Sequence, residues 1–583
     1  MSDEVVTWIE IDIDVCSLRW GVAPCTAALS AGWPRKCVNT FFTCGAQAAY
    51  APQTVTLTLT KQGQVLPISG RYFPCLLSVK EDEQTVNLAG SDPKLDALGR
   101  RAQARWRAAD FLYEDRFLDP YFDERISGAA QFSGVGYRPN GSFWQRLRAR
   151  DPYFSGYAAR IKRGRVVAGA LVADRTTHYI LTEFDPSDGA CDFEAVDVLD
   201  LASNERALCP KPSQGRLAAD LAIDATSLTL TPTGVGAEYG ATGFVTIGRE
   251  IIRYSAKSGD TLTGLVRGRF NTQAATAQAE AAVQEAWRYT GPSYQAVNIL
   301  LTEFAPVPSS WVPLSDWADE AADWFTVDVD VIVTKPVPVT RLVGELSILG
   351  FSLFTDLELQ RIEFRPNRPL VPSEAANSLA ITDDDIVGMP KYEGRDDERL
   401  TRVEFRSVQI DPTRELSDDN FVRQYLGIEG DAEDPRAYGD VRYRLEKTRW
   451  LNQGRDAIIH ILAQRYLRRF STAPIRVTVR VKRRKYGGVK LTDVVTLTTT
   501  RIPSAWGVVE GAQYQVIKRA SPNDGEIDLT LQRFDYAGNF GFWAPNADLD
   551  YDDATEAQRD AQAFWGPNTG DTWPDGRPLY QWS

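Results

Sequence analysis

Along most of this chain apolar and polar residues alternate one for one. TVTLTLT (54–60), IRVTVRV (475–481), VVTLTTT (494–500), AQYQVI (512–517) and IDLTLQRF (527–534) keep a period of two and are rich in β-branched residues, which predicts strands with one buried face. The N-terminal MSDEVVTWIEIDIDV alternates in the same way. A helical period stands out in GRDAIIHILAQRYLRRF (454–470), where Ile458, Leu462, Tyr466 and Phe470 recur every four residues beside Ile459, Ala463 and Leu467. That stripe predicts an amphipathic helix lying on a sheet, with Arg465, Arg468 and Arg469 placed toward the negative end of its dipole. The expected class is mainly β with a few helices (α+β), in several domains.

Turn signals and shifts in pattern suggest where those domains divide, since 583 residues exceed a single core. Residues 211–290 read as a small β module with hairpin turns at Gly248-Arg249 and Ser258-Gly259-Asp260. It interrupts a larger β domain that occupies 93–210 and resumes over 291–324. The flanks YILTEFDP (179–186) and NILLTEFAP (298–306) share LTEF, which reads either as the two sides of an insertion or as a short internal repeat. Residues 1–92 form a cysteine-bearing N-terminal domain. Residues 325–388 form a strand, a helix over Val339–Leu349 and two strands, a small α+β unit. Residues 389–540 form a second β-barrel domain around the 454–470 helix, and 541–583 an acidic, aromatic tail.

Charge changes the picture locally. The chain carries a net −13, which argues against a general nucleic-acid binder. Yet residues 441–490 hold 15 Lys and Arg against two acids, while 541–583 hold eight acids and two arginines. Such a pair suggests contacts within or between subunits, or else a solvated basic sheet face beside a tail. KRRKYGG (482–488) reads as a hairpin end serving a protein interface. No window of 18 apolar residues occurs, and the acidic N-terminus lacks the basic start of a secretory signal. Folding in a cytoplasm, with reduced thiols, is the expectation.

Catalytic motifs are scarce. The sequence holds no P-loop, H-E-x-x-H, G-x-S-x-G or dinucleotide-binding glycine pattern. Its two histidines, His178 in a strand-like run and His460 on the helix, read as structural residues. The chain is therefore read as no enzyme, although 78 acids leave a two-carboxylate hydrolase open.

The early cysteines form the candidate site. Cys16, Cys25, Cys37 and Cys44 are spaced C-x8-C-x11-C-x6-C, and Cys75 follows in RYFPCLLSV. Without a C-x-x-C knuckle this is no zinc ribbon. Buried free thiols are the ordinary reading, and four thiolates on loops holding an iron–sulfur cluster the sharper one. Cys191 and Cys209 fit no ligand pattern and read as buried thiols.

Several blocks carry a resemblance: CSLRWGVAPCTAAL, KCVNTFFTCG, FPCLLSV, GSFWQRLRARDPYFSG, VTIGREIIRYSAKSGDTLTGLVRG, VPVTRLVGELSILGFSLF, YRLEKTRWLNQGRDAIIHILAQRYLRRFSTAPIRVTVRV and WAPNADLDY. In this order they resemble the tail-tip (baseplate) hub proteins of long, non-contractile-tailed bacteriophages and of phage-like gene-transfer particles, over nearly the whole chain. The resemblance implies hub-type β-barrel domains and a homotrimeric, pseudo-sixfold ring in the virion tail tip, assembled in the bacterial cytoplasm. That ring would seat below the distal tail protein, surround the channel for the tape-measure protein and for DNA in transit, and carry the central fibre or tip protein. Side fibres on 211–290 are a further expected partner. The resemblance also implies a 4Fe-4S cluster on Cys16, Cys25, Cys37 and Cys44, with Cys75 as a substitute ligand and zinc as runner-up cofactor. A tail-associated peptidoglycan hydrolase and a receptor-binding tail protein are the alternatives.

Overall fold

The computed structural model describes residues 4–26, 37–68, 70–88, 98–112, 115–119, 121, 142–168, 170–368, 374, 377–452, 454–505, 507–522, 525–533, 542–543 and 550–564. The chain divides into two compact units. One comprises Met1–Glu83, Arg101–Asp200 and Thr355–Arg361, the other Gln84–Arg100, Leu201–Phe354 and Ile362–Ser583.

The first unit is a closed barrel of seven strands: β1 (Glu4–Cys16), β2 (Pro52–Lys61), β3 (Phe73–Glu81), β4 (Gln103–Ala109), β5 (Ala158–Val167), β6 (Ala170–Ser187) and β7 (Ala190–Val196). They follow the order β1-β2-β3-β4-β7-β6-β5, and β5 returns to β1. The β2–β3 pair is parallel and the others antiparallel. Alternation explains the interior, since Ile9, Ile11 and Ile13 of β1 and Leu57 and Leu59 of β2 all point inward. Ala104, Ala108, Ala159 and Ala195 are fully buried too, and their small side chains leave room for Trp106 and Trp144. Trp144 lies on helix α1 (Phe143–Arg150), and its Nε1–H donates to the Ala109 carbonyl at 2.9 Å. The expected boundary at 92/93 does not hold: β3 pairs with β4, so the cysteine-bearing segment is part of this barrel and not a domain of its own. A closed sheet needs every strand, whichever part of the sequence supplies it.

The barrel interior also holds a charged knot. The buried Glu81 carboxylate pairs with Arg163 and accepts hydrogen bonds from the Tyr179 hydroxyl at 2.9 Å and the Thr177 hydroxyl at 3.2 Å. Burial alone would raise the Glu81 carboxyl, but the neighbouring Arg163 and Arg175 guanidinium groups outweigh it and hold the group at about 2.

In the second unit the 211–290 module has a core of its own around Leu228, Leu230, Val245, Ile252, Tyr254, Leu262 and Val283. Its strands are β8 (Arg216–Leu217), β9 (Ser227–Thr231), β10 (Gly243–Ile247), β11 (Glu250–Tyr254), β12 (Ala256–Ser258), β13 (Thr261–Thr263) and β14 (Gln284–Pro292). One sheet runs β8-β9-β13-β12; the other, β11-β10-β14, continues into β15 (Asp328–Val333). Both expected hairpin turns are present, at Gly248-Arg249 between β10 and β11 and at Gly259-Asp260 between β12 and β13. The two LTEF stretches differ in conformation. Residues 181–184 lie within β6, whereas Leu300–Phe304 is a helical turn continuing α2 (Ser293–Ile299), so they are not an internal repeat.

Helices α3 (Leu314–Trp324) and α4 (Val339–Ser347) precede the hairpin β16 (Phe351–Asp356) and β17 (Arg361–Pro366), close to the expected strand–helix–strand–strand order. Then come β18 (Leu379–Ile381), β19 (Lys391–Gly394), β20 (Arg402–Gln409), β21 (Phe421–Ile428) and β22 (Tyr443–Lys447). Helix α5 (Ile459–Phe470) leads to β23 (Ile475–Lys482), β24 (Val494–Thr499), β25 (Val509–Ala520) and β26 (Glu526–Arg533). Six of these strands form a sheet in the order β18-β24-β25-β26-β23-β19, and Gln84–Thr85 pairs with β25 as a seventh. Among the described residues this sheet is open, where a barrel was expected. Helix α5 packs on the separate sheet β21-β20-β22, and Gly427 keeps β21 free of a side chain where Leu467 and Ala463 approach. Residues 482–488 are not a hairpin end: β23 and β24 do not pair, and Arg483–Tyr486 is a short helical turn crossing between them.

Replacing Glu81 by Gln should destabilise the barrel unit by about 3–5 kcal/mol at neutral pH, because Arg163 is left buried without its counter-charge. Since the folded carboxyl titrates near 2 and an unfolded one near 4.3, the contribution is complete above about pH 5 and is lost as pH falls toward 2. Denaturation curves of the wild-type and Glu81→Gln chains should therefore converge on acidification; a constant gap contradicts the assignment.

Candidate functional site

The cysteine corner grows from the end of β1. Cys16 closes that strand, and its backbone N–H donates to the Asn39 carbonyl at 2.6 Å, while Ser17 N–H reaches the Ala51 carbonyl at 3.0 Å. The 37–51 segment is thereby folded back on the strand end before β2 begins. Asn39 adopts a positive φ of 58°, a conformation asparagine tolerates, and its amide donates to the Leu118 carbonyl at 2.7 Å. Thr40 bonds the Thr43 hydroxyl and donates to the Arg150 carbonyl at 2.6 Å, tying the corner to the end of α1.

Cys16, Cys37 and Cys44 are buried in or beside this fold-back, and Cys25 sits half-buried on a turn whose N–H donates to the Val22 carbonyl. Burial, then Cys16, Asp14, Asp151 and Cys44, raise the Tyr50 hydroxyl above its ordinary range. Cys75 belongs elsewhere. It lies on β3 facing the barrel core, where burial pushes its thiol up to about 12. Cys191 in β7 is likewise buried in the barrel, and Cys209 is buried in the second unit; burial raises both. None of the seven cysteines is in a disulfide.

The donor set suits an iron–sulfur cluster in kind: three thiols share the corner and a fourth follows on the adjoining turn. Among the described residues no three His, Cys, Asp or Glu side chains are gathered closely enough to hold a single metal ion. The pattern of cysteines did not reveal the aromatic rim of the corner. Phe41 meets Tyr50 edge-on at 5.3 Å, and Tyr153 meets Phe41 and Phe42 at 6.3 and 5.7 Å, with Phe41 and Tyr153 exposed. The Phe41-Phe42 doublet was the signal available; Tyr153 joins only through the fold.

The histidines lie apart from this corner. His178 is on β6, half-buried, and burial with Arg160 and Lys162 lowers its basicity; His460 is exposed on α5, bonded to the Ala457 carbonyl. Many cations of the basic 441–490 stretch pair with acids of their own unit. Arg442 pairs with Asp396 and Asp440, Lys447 with Asp418, Arg449 with Glu345, Arg455 with Asp328, Arg476 with Glu398, Arg480 with Asp528, and Lys485 with Asp385. The acidic tail lies mostly outside the described residues.

In protein stripped of metal, Cys25 should alkylate first, and Cys75, Cys191 and Cys209 last, because the latter are buried and resist ionisation. Mass-spectrometric labelling of the folded chain reads the order directly; early labelling of Cys75 would contradict its place inside the barrel.

No protein-family model matches the chain, and no curated protein matches it in sequence. Among solved structures it is similar to prophage tail protein gp18 from Listeria monocytogenes, at 8% identity over 78% of this chain and 87% of that one, with a TM-score of 0.33. The 43 kDa tail protein of prophage MuSo2 from Shewanella oneidensis gives 8% identity, 78% and 92% coverage and a TM-score of 0.32. A tail protein from Neisseria meningitidis gives 9%, 78% and 97%, and 0.33.

Proposed function

We propose that this chain is a structural hub of a phage-type tail tip. It forms a homotrimeric ring that joins the distal tail protein and tube to the central fibre or tip and surrounds the channel for the tape-measure protein and DNA. The observation that carries the reading is where the blocks of resemblance fall. CSLRWGVAPCTAAL begins at Cys16, the last residue of β1, and GSFWQRLRARDPYFSG contains α1 in the barrel. VTIGREIIRYSAKSGDTLTGLVRG spans β10 to β13 of the module, and VPVTRLVGELSILGFSLF runs through α4 into β16. YRLEKTRWLNQGRDAIIHILAQRYLRRFSTAPIRVTVRV links β22, α5 and β23.

Its charges favour the same role. Cations pair with acids of the chain itself, and a net −13 makes a wall that repels phosphate instead of gripping it. The 211–290 module, with its own core, suits attachment of side fibres. In this reading the chain catalyses no reaction. Cys16, Cys25, Cys37 and Cys44 hold an iron–sulfur cluster, which when bound ties the corner into one rigid element.

An image of the intact particle tests the main claim: this chain should appear as a threefold ring between tube and tip. A position elsewhere, or clearing of peptidoglycan by the purified chain in a zymogram, overturns it. The cluster has its own test. Anaerobically purified protein should be brown and contain iron and inorganic sulfide. Cys37→Ser should lose the colour and Cys75→Ser keep it. Colourless protein containing zinc would replace the cluster with the runner-up metal.

A further inference from the structure

In the second unit, the β21-β20-β22 sheet has two outer edges, β21 and β22. The barrel has none. Strands β18 and β19 end the larger sheet with three and four residues, and β19 carries Lys391 and Glu393, the short, charged kind of edge that resists pairing. Strand β21 is different. It runs for eight residues, and Val422, Leu426 and Ile428 are 63%, 42% and 48% exposed on one face. At the opposite edge Tyr443 and the nearby Val441 are 52% and 49% exposed.

We propose that these two edges are the subunit junction of the trimer, β21 of one copy pairing antiparallel with β22 of the next; the proposal rests on the homotrimeric reading above. The directions agree. Strand β20 is antiparallel to β21 and parallel to β22, so β22 runs against β21, and a copy related by rotation about an axis along the strands presents its β21 antiparallel to β22. The faces agree as well. Cross-strand rows Ile428–Arg402–Tyr443, Leu426–Glu404–Leu445 and Gln424–Arg406–Lys447 lie on one side, and α5 packs on the strands β20 and β21 where Gly427 meets Leu467.

One register pairs apolar residues at one end of the two edges and sets Val422 opposite Lys447 at the other. With Tyr443 opposite Leu426 of the next copy, Val441 falls opposite Ile428, an apolar pairing that removes exposed surface from water. The same register brings the exposed Arg423, 3.8 Å from Asp456 of its own chain, beside Glu446, which already pairs with Arg444. Charges between the edges are already matched: Arg402 with Glu433, Arg406 with Glu404, and Lys447 with Asp418. The contact is head to tail, so three copies use every such edge and leave none open.

Light scattering of the full chain after size exclusion tests this. The wild type should be a trimer, and the Leu426→Lys/Ile428→Lys variant a monomer with an unchanged circular dichroism spectrum. A variant that remains trimeric overturns the junction and leaves the trimer standing; a wild type that stays monomeric overturns both. Oxidation of a Leu426→Cys/Tyr443→Cys variant should give a ladder ending at three linked chains, absent from the wild type. Covalent dimers of Leu426→Cys alone would show twofold β21–β21 pairing and overturn the proposal.

Discussion

The return of β5 to β1, with Ile11 paired to Ala159 and Val6 to Gly164, closes the first sheet on itself. Closure satisfies the backbone of every barrel strand and leaves no edge for aggregation. It also defines an interior that must be filled. Trp106 stacks on Phe193 at 5.3 Å, and Trp144 meets that ring edge-on at 5.1 Å from α1. The cysteine corner hangs from the same strand, since Cys16 is both the last residue of β1 and the anchor for the 37–51 fold-back. The corner is therefore positioned by the rigid end of a barrel strand.

Ionisable groups in this protein are mostly used on one another. On the barrel wall Arg160 bridges Glu10 and Asp12, and Arg105 bridges Asp82 and Glu194. In the module Arg267 forms a two-pronged pair with the buried Glu250, which also accepts the N–H groups of Gly268 and Ala275. Matching of this kind fixes register and packing while leaving the surface unattractive to polyanions.

Strands and the main helix were legible because they depend on local order. A period of two places one face of IRVTVRV inward wherever the strand is put, and the 454–470 stripe needs a sheet to lie on. The first turn of that stripe forms a tighter helical turn, so α5 proper begins at Ile459. The LTEF pair shows the limit. The same four residues form strand in 181–184 and helix in 301–304, because neighbours and tertiary contacts decide for so short a segment.

The sequence by itself determined the β class, the hairpins of the 211–290 module, the helix and the cluster of early thiols, all properties of residues close along the chain. Tertiary structure alone decided that residues on both sides of position 92 share one barrel, and that Cys75 faces its core instead of the corner. It also decided that the basic 441–490 stretch meets its acids from as far away as Asp328. The physical reason is that closure, burial and charge pairing join strands distant in sequence, and no local pattern records which distant strand will arrive.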